Sequence, residues 1–119
     1  MAKVSIKENA ILGDEDLQKN LRSLNPEWGD FCIRASAEAW GKPLIDQKTK
    51  TLITLAVDVV IMAQGQQFAN HVKMAMKQGV TREEIEELIF FMDIYAGFNK
   101  AGIFYGALDQ FFGPKTKDV

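Results

Sequence analysis

The sequence predicts an all-α protein folded as a bundle of about six helices. Apolar residues recur at helical spacing in several segments, most regularly between residues 46 and 64. Helix-stopping glycines and helix-starting caps separate these segments. No run of alternating apolar and polar residues, bounded by turn residues, indicates a β-sheet.

The first two helices are delimited by residues that favour helix starts. Residues 1–13 carry no helical period, and we expect them to form an N-terminal arm. The helical pattern begins at Asp14 and stops at Asn25, which is followed by a proline. Asn25 suits an N-cap and Pro26 suits the first helical position, so a second helix is predicted to run to about Trp40.

Four more helices are predicted in the rest of the chain. Asp46 caps a third helix over residues 46–64, which we expect Gly65 to end or kink. A fourth helix is predicted over residues 66–78, with Gly79 as its C-terminal left-handed residue.

The strongest start signal precedes the fifth helix. Thr81 and Glu84 have the spacing of a capping box, in which each side chain binds the other residue's backbone N–H. The fifth helix is predicted to run to Tyr95, and a last helix to cover residues 98–111.

Composition excludes several classes of function. A net charge of −2 with scattered basic residues argues against nucleic acid, since phosphate binding needs a basic patch. One cysteine, Cys32, cannot form an intramolecular disulfide. The longest apolar run, residues 52–63, is too short for a membrane span. We therefore expect one cytoplasmic domain over residues 1–119, with neither nucleic acid nor membrane as a partner.

The only histidine, His71, is the first candidate for a functional site. Helical geometry places it at the edge of the apolar stripe that contains Phe68 and Val72, with Gln67 one turn earlier on the same side. Such a histidine can serve as a base or a hydrogen-bond donor. Alternatively, a backbone carbonyl or a neighbouring subunit satisfies it at the edge of the core.

Two acids, Asp58 and Asp93, interrupt apolar segments. A carboxylate among apolar residues must be paired, protonated or in contact with water. Either acid can be a second acid–base group that faces His71, or can lie at an exposed edge or in a subunit salt bridge. A single histidine without clustered ligands does not suggest a metal site, and we expect none.

Three segments together resemble the carboxymuconolactone decarboxylase family. They are LIDQKTKTLITLAVDVV, NHVKMAMKQGVTREEIEELI and IYAGF, at residues 44–60, 70–89 and 94–98. The resemblance implies an AhpD-like, all-helical fold built around a helical hairpin. It also implies a homotrimer or homohexamer.

One branch of this family, the AhpD-type alkylhydroperoxidases, carries a C-x-x-C-x-x-x-H motif. Counting back from His71, the two cysteine positions fall on Gln64 and Gln67. The glutamate of that branch falls on Leu52, and Cys32 is remote in sequence. An antioxidant activity of this kind is therefore the least favoured interpretation.

The decarboxylase branch resembles a general acid–base site around the histidine. It often has a glutamate four residues before the histidine, whereas this chain has Gln67, whose amide can orient groups but cannot titrate. The branch acts on a γ-lactone dicarboxylate, which would favour an arginine. The three arginines, Arg22, Arg34 and Arg82, lie at no motif position that we can connect with the site.

The sequence thus predicts a cysteine-independent acid–base enzyme without a cofactor, acting on a small lactone or carboxylate. The catalytic candidates are His71, Gln67, Asp58 and Asp93, and the substrate-binding candidates are Gln64 and Tyr95. The alternative is a non-enzymatic helical oligomer that binds a small molecule.

Overall fold

The computed structural model describes residues 2–115, and all regular elements among these residues are helices. The helices are α1 (Glu15–Leu24), α2 (Pro26–Trp40), α3 (Gln47–Ile61), α4 (Gln66–Lys77), α5 (Arg82–Ala96) and α6 (Asn99–Phe112). The predicted all-α class is confirmed. Contacts divide the chain into two compact units, and the division falls within α3, between Lys50 and Thr51. None of the described helices combines the length and apolar character that a membrane crossing requires.

In the first unit, α1 begins where the helical pattern was predicted to start, and α2 begins at its predicted cap, Asn25. The Asp14 side chain accepts from the backbone N–H of Leu17, and the Asn25 side chain accepts from that of Trp28. The helices come very close at Gly29, where an added Cβ would lie 2.7 Å from backbone atoms of Arg22. A glycine is therefore needed at this contact between α1 and α2.

The segment before α1 is not helical, as predicted, but it is more buried than an arm would be. Asn9 is 2% exposed and the two residues that follow it are also buried. The Asn9 amide donates to the carbonyl of Ala37 on α2 at 3.1 Å. Its oxygen accepts from the N–H groups of Ile11 and Leu12. This segment is thus fixed against α2 by the side chain of Asn9.

Helix α3 begins where the sequence predicts, because Asp46 accepts from the backbone N–H of Thr49 at 2.7 Å. Hydrogen bonds from the backbone and side chain of Thr49 hold the pKa of Asp46 below its ordinary value, and Lys48 and Lys50 lower it further. The cap is therefore strongest when the carboxyl group is ionised.

The end of α3 differs from the prediction. The helix stops at Ile61 rather than near Gly65, because Met62 adopts a left-handed conformation with φ of 60°. The N–H of Ala63 bonds to the carbonyl of Asp58 at 2.9 Å, the bond that closes a Schellman motif. This conformation is usually taken by glycine, so the sequence carries no stop signal at this position.

The second unit has an extended apolar core to which α3, α4, α5 and α6 contribute. Phe68 of α4 and Phe104 of α6 meet edge to face, with ring centroids 5.1 Å apart. The buried members are Leu55, Val59, Phe68, Val72, Ala75, Val80, Ile85, Ile89, Ala101, Phe104 and Leu108. This core fixes the positions of α3 and α4, which carry the candidate site.

Helix α5 begins at the predicted capping box. The Thr81 hydroxyl accepts from the N–H of Glu84 at 3.1 Å, and the Glu84 carboxylate accepts from the N–H of Thr81 at 2.9 Å. Gly79, which has a φ of 88°, follows α4 in the left-handed region as predicted. These local signals set the boundary between α4 and α5.

Candidate acid–base site

The centre of the candidate site is Asp58, in the last turn of α3. Its side chain is only 1% exposed, although it lies in a helix dominated by apolar residues. Burying an ionised carboxylate is costly unless hydrogen-bond donors compensate for the lost water. Its partners therefore decide what this residue can do.

Both oxygens of Asp58 have a side-chain partner on α4. Oδ2 lies 2.5 Å from Nδ1 of His71, and Oδ1 accepts from Nε2 of Gln67 at 3.1 Å. His71 and Gln67 are four residues apart, so one helical turn brings both side chains to the same face. The structure thus brings together three of the four residues that we predicted as catalytic.

The connection between α3 and α4 makes this arrangement possible. The chain leaves α3 through the left-handed Met62 and enters α4 after Gly65, which has a φ of 67°. The carbonyl of Asp58 accepts the bond that closes α3, and Lys100 of α6 donates to the carbonyl of Val60 at 2.7 Å. Two hydrogen bonds therefore fix the end of α3 that carries Asp58.

The chemistry of the pair follows from its geometry. An ionised carboxylate only accepts hydrogen bonds, so it favours a proton on Nδ1 of His71. Nε2 is then the ring nitrogen that Asp58 does not engage, and the side chain of His71 is 24% exposed. A histidine held in this way can accept or donate a proton at Nε2.

Asp93 does not join this site. It is half-buried on α5, and the described hydrogen bonds of Asp58, Gln67 and His71 do not include it. It lies near Tyr105 instead, where burial raises the pKa of the tyrosine hydroxyl and the charges of Asp93 and Glu86 raise it further. The structure therefore brings one of the two predicted acids to His71.

The two predicted substrate-binding residues also lie apart from the histidine contacts. Gln64 is exposed in the α3–α4 connection. Tyr95 is 73% exposed, and its ring packs on Phe91 with centroids 5.3 Å apart. Their roles toward a substrate stay predictions.

The described hydrogen bonds of Asp58, Gln67 and His71 do not include an arginine, the residue expected for an anionic substrate. Arg82 donates to Asp109 at 2.6 Å and to the carbonyl of Gly113 at 3.0 Å. Its guanidinium also lies 5.2 Å from the ring centre of Phe112. Arg82 therefore connects α5 with the end of α6. In the first unit, Arg22 pairs with Asp30 at 2.8 Å.

The hydrogen bond between Gln67 and Asp58 was missed by sequence reasoning. The sequence predicts that the amide of Gln67 orients other groups in place of a glutamate. It does not predict a bond to the acid on α3. The signal was available, since Gln67 and His71 share one helix face and Asp58 interrupts the apolar pattern of the preceding helix. Combining the two required knowing how α4 packs on α3.

Comparison with known proteins agrees with the resemblance. The model of the carboxymuconolactone decarboxylase family matches residues 26–109. A protein of Acinetobacter baylyi named 4-carboxymuconolactone decarboxylase is 30% identical over 91 residues, which cover 73% of this chain and 67% of the relative. No solved structure gives a significant match. The chain belongs to the carboxymuconolactone decarboxylase family.

Proposed function

We propose that this protein is a cofactor-free lyase that decarboxylates a small lactone carboxylate, with His71 as the proton-transferring group. The observation that carries the proposal is the buried carboxylate of Asp58, 2.5 Å from Nδ1 of His71. A carboxylate in this position orients an imidazole and stabilises its protonated form. Neither cysteine chemistry nor a metal is needed for such a step.

The proposed step is a decarboxylation followed by proton transfer to the substrate carbon. The substrate carboxylate leaves as carbon dioxide when its C–C bond breaks, and the electron pair stays on the substrate carbon. Protonated His71 donates its Nε2 proton to that carbon and becomes neutral. Asp58 remains a carboxylate throughout and stabilises the imidazolium before transfer.

The relative's name supports the substrate class. The Acinetobacter baylyi protein is named for the decarboxylation of 4-carboxymuconolactone. A lactone that carries a carboxylate has the group that the proposed step removes. We therefore choose 4-carboxymuconolactone as the first substrate to assay.

The test is the His71→Ala variant, with Lys73→Ala on the same helix as its control. We expect His71→Ala to lower kcat by about 10⁴-fold, the upper end of the contribution of a general acid or base. Circular dichroism should show an unchanged helical fold for both variants. Full activity of His71→Ala, or no turnover by the unmodified protein, would contradict the proposal.

The alternative is a non-enzymatic protein that binds a small molecule at the same polar site. It predicts that a lactone or carboxylate raises the melting temperature without being consumed, since a ligand that binds the native state stabilises it by mass action. An antioxidant activity of the AhpD type would instead require a thiol, and a reagent that blocks Cys32 would abolish it. We expect that blocking Cys32 leaves activity unchanged. We also propose that the protein is located in the cytoplasm.

We also propose that the protein is a homo-oligomer, a trimer or hexamer. Helix α5 buries one side in the core, yet its opposite side and the residue that follows Gly97 expose large apolar groups. This surface, the α5 stripe, consists of Phe90, Phe91, Ile94, Tyr95 and Phe98, each more than half exposed. A helix with two apolar faces calls for a second partner. Light scattering should find three or six chains, and a monomer would contradict the proposal.

A further inference from the structure

We propose that Gln67 is a positioning residue that selects the tautomer of His71 by holding Asp58 as a carboxylate. Through Asp58, it keeps the proton of neutral His71 on Nδ1 and leaves Nε2 as the reactive nitrogen. The inference rests on the proposed function in one respect, namely that His71 transfers the proton.

The two oxygens of Asp58 have different partners. One oxygen faces His71 at 2.5 Å, and the other needs a different donor because the side chain of Asp58 is only 1% exposed. Gln67 supplies it with its amide N–H at 3.1 Å. A carboxylate cannot donate, so the NH2 group of the amide must be the group that faces it.

Removing that donor would leave a charged oxygen buried without a hydrogen bond, which is costly. Protonation of Asp58 removes the cost. A protonated Asp58 then donates to Nδ1 of His71, and the remaining proton of the neutral ring must lie on Nε2. The amide of Gln67 therefore controls which ring nitrogen carries the proton, although its described hydrogen bond goes to Asp58 and not to the imidazole.

The same geometry explains why an amide is needed at this position. A glutamate here would place a second carboxylate about 3 Å from that of Asp58, and two carboxylates so close share a proton. The shared proton would again allow donation to Nδ1. Gln66, the preceding residue, donates to Asn70 at 2.8 Å, and the described side-chain hydrogen bonds of Asp58 do not include it. Gln66→Glu is therefore a matched control for Gln67→Glu.

The experiment is nitrogen NMR of ¹⁵N-histidine-labelled protein over a pH series that reaches the neutral ring, and the only histidine gives an unambiguous signal. In the unmodified protein we expect a protonated Nδ1 and an unprotonated Nε2 in the neutral ring. In Gln67→Met, which keeps the length of the side chain without its donors, and in Gln67→Glu, the proton should shift toward Nε2. Gln66→Glu should match the unmodified protein.

Kinetics with 4-carboxymuconolactone provide a second readout. Loss of a hydrogen bond to a charged group predicts a fall in kcat of roughly 10-fold to 100-fold in Gln67→Met, with little change in KM. If Gln67 instead binds the substrate, KM should rise while the tautomer stays the same, and the inference is overturned. A protonated Nε2 in the neutral ring of the unmodified protein overturns it as well, whether or not the variants fold. A further outcome is that the tautomer shifts as expected while neither the unmodified protein nor any variant turns over substrate. In that case the proposed function fails and the positioning role stands.

Discussion

Each compact unit of the chain buries polar side chains, and Asn9 of the first unit and Asp58 of the second have different kinds of partner. In the first unit, Asn9 is 2% exposed and its amide bonds only to backbone groups of the same unit. In the second unit, Asp58 is 1% exposed and bonds to the side chains of Gln67 and His71. Backbone groups cannot change protonation state, whereas an imidazole can. The first arrangement therefore serves architecture and the second can serve chemistry.

The apolar cores of the two units also differ, in the number and kind of side chains that they bury. Among the described residues, the first unit buries few apolar side chains, and none of them is aromatic: Ala10, Ile11 and Ile33. Polar contacts supplement them, as when Gln47 accepts from the N–H of Ala10 and donates to the carbonyl of Trp40. The second unit has its extended core of aromatic and aliphatic side chains. Such a core can accommodate a buried carboxylate that is hydrogen-bonded to side chains of α4.

The largest expected effect is the loss of activity in Asp58→Asn. The new amide can donate to Nδ1 and so favour the wrong tautomer of His71. We expect kcat to fall by about 10³-fold to 10⁴-fold, as when the orienting carboxylate of a catalytic histidine is replaced. Steady-state kinetics measure the change, and Asp16→Asn on the exposed side of α1 is the control. Activity within tenfold of normal would show that Asp58 is only structural.

Replacing Gly29 should destabilise the first unit without changing the kcat that depends on the second. A Cβ at this position meets the backbone of Arg22, which cannot move aside as a side chain can. We expect Gly29→Ala to lower the free energy of unfolding by about 1–3 kcal/mol. The control is Gly102→Ala in α6, where a Cβ meets nothing within 4 Å. This change should raise stability by about 0.5–1 kcal/mol. Urea unfolding measures both, and equal effects would contradict the close approach.

Asn9→Ala sharpens the contrast with Asp58. It leaves the N–H groups of Ile11 and Leu12 without their side-chain acceptor, so we expect a loss of about 1–2 kcal/mol in stability. The kcat per folded molecule should not change. A fall in kcat at unchanged stability would mean that the first unit contributes to the chemistry.

The smallest expected effect concerns the loss of stability at acidic pH. Because the pKa of Asp46 is lowered in the folded protein, its contribution to stability is complete above its ordinary value of 3.8 and is lost as the pH falls through the lower folded value. Asp46→Asn keeps a capping side chain but removes the charge. Its stability should therefore decline slightly less than that of the unmodified protein between about pH 5 and pH 2. Identical acid denaturation curves would show that the cap does not depend on charge.

The sequence predicted those parts of the fold that depend on neighbouring residues. Asn25 with Pro26, and Thr81 with Glu84, mark helix starts because their side chains bond within the same turn. The end of α3 was missed because Met62 takes a conformation for which its residue type gives no signal. The pairing of Asp58 with Gln67 was missed because it depends on packing between helices.

The central claim is that Asp58 and His71 act as one proton-transferring unit. The most direct test compares kcat for Asp58→Asn, His71→Ala and the double variant, since residues that act as a unit have strongly non-additive effects. We expect the double variant to be no less active than His71→Ala alone. If the two losses multiply instead, Asp58 and His71 act independently, and the account of this site is wrong.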